Sequence, residues 1–126
     1  MNLENNAYFW QKLDTLLLTG TFTLKYNKGE RHAKYSKLVY PLNYGLLKNE
    51  YDETKDMEIP CYKGSLDNEC NSIIVSVDIL SRECVVQLLI GLTDEETEDI
   101  LSFLNETEFQ KTILVRRGNE VPSWAE

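Results

Sequence analysis

Two β-branched runs, residues 72–80 and 84–90, flank the polar break Ser81-Arg82-Glu83, and this pair constrains the fold of the chain more than any other feature. Valine and isoleucine carry two heavy atoms on Cβ and sit more easily on a pleated strand than in a helix. Two such runs around a short polar break read as a β-hairpin. Thr93-Asp94-Glu95-Glu96 follows at once and has the Thr-x-x-Glu form of a capping box. It starts a helix whose Ile100, Leu101, Phe103 and Leu104 turn inward.

The rest of the chain is arranged around this unit. Asn5 and Asn6 offer caps for an N-terminal helix with Phe9, Trp10, Leu13, Leu16 and Leu17 at helical spacing, ended by Gly20. Residues 21–26 alternate, with Phe22, Leu24 and Tyr26 on one face, and predict a strand; Asn27-Lys28-Gly29 is a turn. A second extended stretch at 38–40 runs into Pro41. Residues 47–56 read as a polar loop, and 58–62 as a short strand in which Pro60 implies an edge or a bulge. Residues 63–71 form a connection, 111–115 a last strand, and 116–126 a tail that is polar apart from Val121 and Trp124. The chain of 126 residues is the size of one domain. No repeat or linker divides it, so residues 1–126 are expected to form one α+β domain. Its expected core is a small antiparallel β-barrel of about five strands, with one helix at the N-terminus and one near the C-terminus.

Composition narrows what such a domain meets. With 13 Lys and Arg against 21 Asp and Glu, the net charge is −8, a field that repels phosphate backbones and argues against nucleic acid. No apolar run approaches the roughly 18–20 residues that span a bilayer. The segment MNLENNAYFWQK lacks the basic and apolar regions of an export signal. Three cysteines, Cys61, Cys70 and Cys84, without paired C-x-x-C spacing fit neither a zinc finger nor a disulfide framework. A reducing cytoplasm is the expected compartment.

Three groups of residues carry possible chemistry. Val39-Tyr40-Pro41-Leu42-Asn43-Tyr44-Gly45 is a stiff, bent segment with two phenols, and its Gly45 permits a positive φ or a close backbone approach. Such a corner equally serves to pack two aromatic rings into a core. Upstream, Lys25, Lys28, Arg31, His32, Lys34 and Lys37 concentrate positive charge; Arg31 and Lys34 suit a phosphate or diphosphate, or a solvated surface. Downstream, Glu50, Asp52, Glu53, Asp56 and Glu58 offer the oxygen ligands that Mg²⁺ takes, or a hydrophilic loop. Neither a G-x-S-x-G elbow nor a G-x-x-x-x-G-K-[ST] phosphate loop is present.

Gly29-Glu30-Arg31-His32-Ala33-Lys34 followed by the Tyr-Pro-x-Asn-Tyr-Gly string resembles soluble family I inorganic pyrophosphatases, most closely the small single-domain pyrophosphatase-like proteins of bacteria. The resemblance covers residues 9–117, the tail 118–126 lying beyond it. It implies an OB-like barrel and, in active members, hydrolysis of diphosphate with Mg²⁺. By that analogy Tyr40, Tyr44, Arg31 and Lys34 face the phosphates, and a water between two metals attacks. The pattern departs at the metal site. Where the family carries aspartates around a glycine-bearing loop, this chain has Lys55 and Pro60 and no loop glycine. Asp52, Asp56 and Glu58 become ligands only after a shift of register. The expectation is therefore a degenerate, non-catalytic domain without a cofactor that binds a basic protein, such as an immunity protein neutralising a basic toxin. The alternatives are a divergent Mg²⁺-dependent diphosphatase, and a binder of diphosphate or another phosphorylated small molecule.

Overall fold

The hairpin forms where the sequence places it. Strand β4 (Cys70–Asp78) pairs antiparallel with β5 (Glu83–Ile90) across a turn in which Arg82 takes a φ of 58°. The computed structural model describes residues 4–32, 38–49 and 58–125. Before the hairpin come α1 (Ala7–Leu18), β1 (Gly20–Tyr26), β2 (Asn43–Asn49) and β3 (Glu58–Lys63). After it come α2 (Asp94–Leu104), β6 (Gln110–Arg116) and a 3₁₀ turn, Ser123–Ala125. The domain is α+β, with one helix ahead of the main strands and one ahead of the last.

Among the described residues six strands join one sheet in the order β1-β2-β3-β5-β4-β6. The pairs are antiparallel except β3 with β5, where Cys61, Tyr62 and Lys63 lie against Leu88, Leu89 and Ile90. The expectation of an antiparallel barrel of about five strands is corrected by what the described residues show: six strands, one parallel pair, and an open sheet with β1 and β6 at its two ends. The hairpin inserts with its second strand beside β3, and no local pattern announces that choice. Pro60 is opposite Leu46 on β2, in a stretch of β3 that β5 does not reach, so its missing N–H removes no ladder bond on that side.

Strand β2 begins at Asn43 and includes Leu47, Lys48 and Asn49, which the sequence assigns to a loop. Asn and Gly are poor strand formers, and pairing on both sides overrides their preference. Gly45 lies inside β2, where a Cβ would fall 2.2 Å from the Thr23 carbonyl oxygen and 2.8 Å from the Phe22 ring. Its role is close approach of backbone, not a positive φ.

Alternation along the strands divides the core between the two faces of the sheet. On one face Trp10 and Leu13 of α1 pack on Leu47, Cys61, Ile73 and Leu88. On the other, Ile100 and Leu104 of α2 pack with Ile74, Leu89, Tyr62, Tyr40 and Leu42. Each such aliphatic or aromatic side chain contributes roughly 1.5–3 kcal/mol when taken fully from water.

Asn6 caps α1, its side chain accepting from the N–H groups of Tyr8 and Phe9. Asn5 has a different task. It accepts from Trp10 Nε1–H at 2.7 Å and donates to the Arg116 carbonyl at 2.6 Å. The tail is less solvated than its composition suggests. Arg117 holds Asp14 through both terminal nitrogens and donates to the Cys70 carbonyl at 2.9 Å, with its guanidinium 5.2 Å from the Trp10 ring centroid. Pro122 is buried, and Trp124 meets Tyr8 edge-on. Along β6 the Asn105 side chain accepts from Thr112 N–H at 2.8 Å and donates to its carbonyl at 3.3 Å. An asparagine thus stands where a further strand would otherwise bond. Among the described residues no helix is long and apolar enough to cross a membrane.

Candidate functional site

Tyr26, Tyr44 and Tyr62 stand directly opposite one another on β1, β2 and β3, so one face of the sheet carries a row of three phenols. Tyr40 lies over this row, its ring centroid 4.5 Å from Tyr26 and 5.6 Å from Tyr44. Tyr44 and Tyr62 are 5.0 Å apart. His32 stacks at 5.5 Å from Tyr26, and Phe103 of α2 closes the other side at 6.2 Å from Tyr40.

A local ribbon puts Tyr40 there. Gly29 N–H donates to the Tyr40 carbonyl at 2.8 Å, Tyr40 N–H to the Glu30 carbonyl at 3.0 Å, and His32 N–H to the Leu38 carbonyl at 2.9 Å. Arg31 and Val39 are opposite each other in the same ribbon. Asn43, the asparagine of the tyrosine string, accepts from Lys28 N–H at 2.8 Å and so ties the Asn27-Lys28-Gly29 turn to the start of β2. Gly29 takes a φ of 83°, which glycine adopts without the steric cost a side chain adds.

Tyr40 and Tyr62 are 7% and 3% exposed, whereas Tyr26 and Tyr44 are half-buried. Burial pushes the Tyr40 hydroxyl up to about 12, helped by Tyr26, Tyr44 and Glu30. It raises Tyr44 and Tyr62 as well, in part against the side chain of Gln87 on β5, which stands beside both. Gln87 Oε1 is buried and has no hydrogen-bond partner among the described residues. At neutral pH these phenols are neutral hydroxyls that donate or accept, not bases or nucleophiles. The Cys61 and Cys70 thiols are pushed up by burial to about 12 and about 11, while Cys84 is exposed. The two buried thiols are therefore inert as nucleophiles.

Of the residues singled out in the sequence, the structure brings Tyr40 and Tyr44 into contact and leaves Arg31 exposed one residue from His32. Glu58 is exposed and opposite Lys48. It lies four residues from Tyr62 along β3, roughly 13 Å at the rise of a strand, so the fold does not bring it to the phenols. Lys34, Asp52 and Asp56 lie outside the described residues. Among the described residues no three His, Cys, Asp or Glu side chains come together as a metal site. Sequence reasoning missed Tyr26, Tyr62, His32 and Phe103 as members of the cluster. Cross-strand register makes Tyr62, 3% exposed, the innermost ring.

The second notable surface is α2. From 93 to 108 the chain carries seven carboxylates and no Lys or Arg. Six of them, Asp94, Glu95, Glu98, Asp99, Glu106 and Glu108, are exposed. Glu96 is engaged internally, accepting from Thr93 N–H at 2.9 Å and from Ser65 N–H and Oγ at 3.2 Å. Burial alone would raise its carboxyl, but these donors outweigh burial and hold it below the usual range. Where α2 ends, a cleft of about 530 Å³ opens between the helix and the Leu38–Tyr40 ribbon, lined by Leu38, Val39, Ser102, Phe103 and Glu106. No family model, curated protein or solved structure matches this chain.

Proposed function

We propose that this domain acts by binding a basic protein, as a non-catalytic member of the pyrophosphatase-like group. The observation that carries the reading is the exposed acid of α2 and its following loop, a stretch with seven carboxylates and no cation within a chain of net charge −8. A one-signed surface of this kind accelerates capture of an oppositely charged partner and disfavours like-charged competitors. A neutralising role against a basic toxin or nuclease domain in the cytoplasm needs that surface and no catalytic group. The burial of Tyr40 among Leu42, Ile74, Leu89 and Ile100 supports the same reading, because a ring that fills the core is not available as a phosphate clamp.

A second reading rests on the convergence of Tyr40 and Tyr44 near Arg31: retention of diphosphate or a related phosphate, with Lys34 as a further cation and Asp52, Asp56 and Glu58 as Mg²⁺ ligands if hydrolysis persists. Phosphate release from diphosphate across a Mg²⁺ series separates the two. The binding reading expects no metal-dependent release. Release that disappears in Asp56→Ala or Glu58→Ala overturns it. Purification from the native cells at low ionic strength is expected to yield a stoichiometric complex with one basic protein, which dissociates as salt is raised. Recovery of the chain alone counts against the proposal.

A further inference from the structure

We infer that the cleft beside α2 is the anchoring point of a basic segment, which lays the stem of one Lys or Arg side chain along the apolar walls and carries its charge toward Glu106. This rests on the binding reading above and specifies where on the surface the partner seats. Its lining joins the apolar Leu38, Val39 and Phe103, with Val39 38% exposed, to the polar Ser102 and Glu106. A lining of apolar side chains together with a carboxylate matches a long cationic side chain, whose methylene stem prefers apolar surface while its head stays hydrated. The Phe103 ring adds the attraction of an aromatic face for a nearby guanidinium.

Charge fixes the direction. Glu95, Glu98 and Asp99 precede Ser102 by seven, four and three residues, so they share its side of the helix and extend the acidic track from the cleft along α2. Arg31 pairs with Val39 across the ribbon and so brings a positive charge to the strand beside that lining residue. A cation entering the cleft is therefore drawn toward α2 and repelled from the ribbon, and neighbouring basic residues of the same segment follow the track. A phosphate ligand would have the opposite preference, toward Arg31. The two ligand classes are thus distinguished by a single residue.

The test is an amide-shift titration of the whole chain with an eight-residue oligo-arginine peptide at low ionic strength. The largest perturbations are expected at Val39, Ser102, Phe103 and Glu106. Glu106→Gln should weaken binding about two- to five-fold, the size of one exposed charge pair. Phe103→Leu should do so by a similar factor, its thermal melt confirming that the fold is intact. Arg31→Gln should leave binding unchanged or tighten it. Perturbations confined to the N-terminal half of α2, or to another surface, overturn the cleft but leave an acidic binding protein. Weakening by Arg31→Gln also overturns it. Absence of any binding at low salt overturns both the cleft and the binding reading.

Discussion

The two faces of the sheet are built from the same strands and read differently. The α1 face is held by Trp10, Leu13, Leu47, Ile73 and Leu88 with two buried thiols, and the Asn5–Trp10–Arg117 contacts lock its helix to β6 and the tail. The α2 face carries the phenol row, the ribbon that lays Tyr40 on it, and a helix whose outer side is acidic. Adjacent residues of one strand serve opposite purposes: Cys61 belongs to the first core and Tyr62 to the second. The first face is scaffold, and the second combines packing with the surfaces proposed for binding. Both faces bury a core of their own, and what sets the second apart is the exposed acid on the outer side of its helix.

The sharpest way to break this contrast is Trp10→Ala. Trp10 is 1% exposed, and its removal takes away a core ring and strands the Asn5 acceptor, so a loss of about 3–5 kcal/mol is expected in urea unfolding. A loss under about 1 kcal/mol would show that the α1 face is not the scaffold. Next is Asn105→Ala at the β6 edge, which leaves Thr112 N–H and its carbonyl without their side-chain partner. It should cost about 1–3 kcal/mol and introduce concentration-dependent association, read by sedimentation. An unchanged monomer of unchanged stability would remove the edge-guarding role.

Thr93→Ala tests how firmly the acidic helix is anchored. It deletes the hydroxyl that accepts from Glu96 N–H at 3.1 Å, and about 1 kcal/mol is expected from thermal melting. The smallest effect at neutral pH belongs to Tyr40→Phe, which keeps the ring and removes only the hydroxyl. Its value lies in alkali. The folded Tyr40 hydroxyl is raised from 10.0 to about 12, so the stability that its neutral form contributes is complete below pH 10 and is lost as pH rises toward 12. Unfolding followed through that window should find Tyr40→Phe more resistant than the parent chain. Equal sensitivity would mean that Tyr40 is not buried as a neutral phenol.

Local chemistry made much of this legible. The β4–β5 hairpin, the Thr93–Glu96 capping box, α1, β1, β3 and β6 follow from periodicity, branching and caps, within a few residues at their ends. Strand β2 was not legible. Asn43 and Gly45 disguise it, and only partners on both sides, together with the near contact of Gly45 with Thr23 and Phe22, turn it into a strand. The candidate site was half legible. The Tyr40–Tyr44 spacing flagged two rings, but Tyr26 and Tyr62 join them through cross-strand register, which a one-dimensional pattern does not contain.

By itself the sequence determined which segments are strands or helices wherever a side chain acts on its own backbone: a branched Cβ restricting χ1, an asparagine or threonine closing a helix end, a proline removing a donor. It also determined the excess of acid, since charge needs no fold to be counted. The tertiary structure alone decided that β5 lies parallel to β3, that β1 and β6 stand at the ends of the sheet among the described residues, and that Tyr26 and Tyr62 join Tyr40 and Tyr44 in one cluster. Those outcomes depend on which buried surfaces fit one another. That fit is a sum over contacts between remote residues, and no single stretch of chain encodes it.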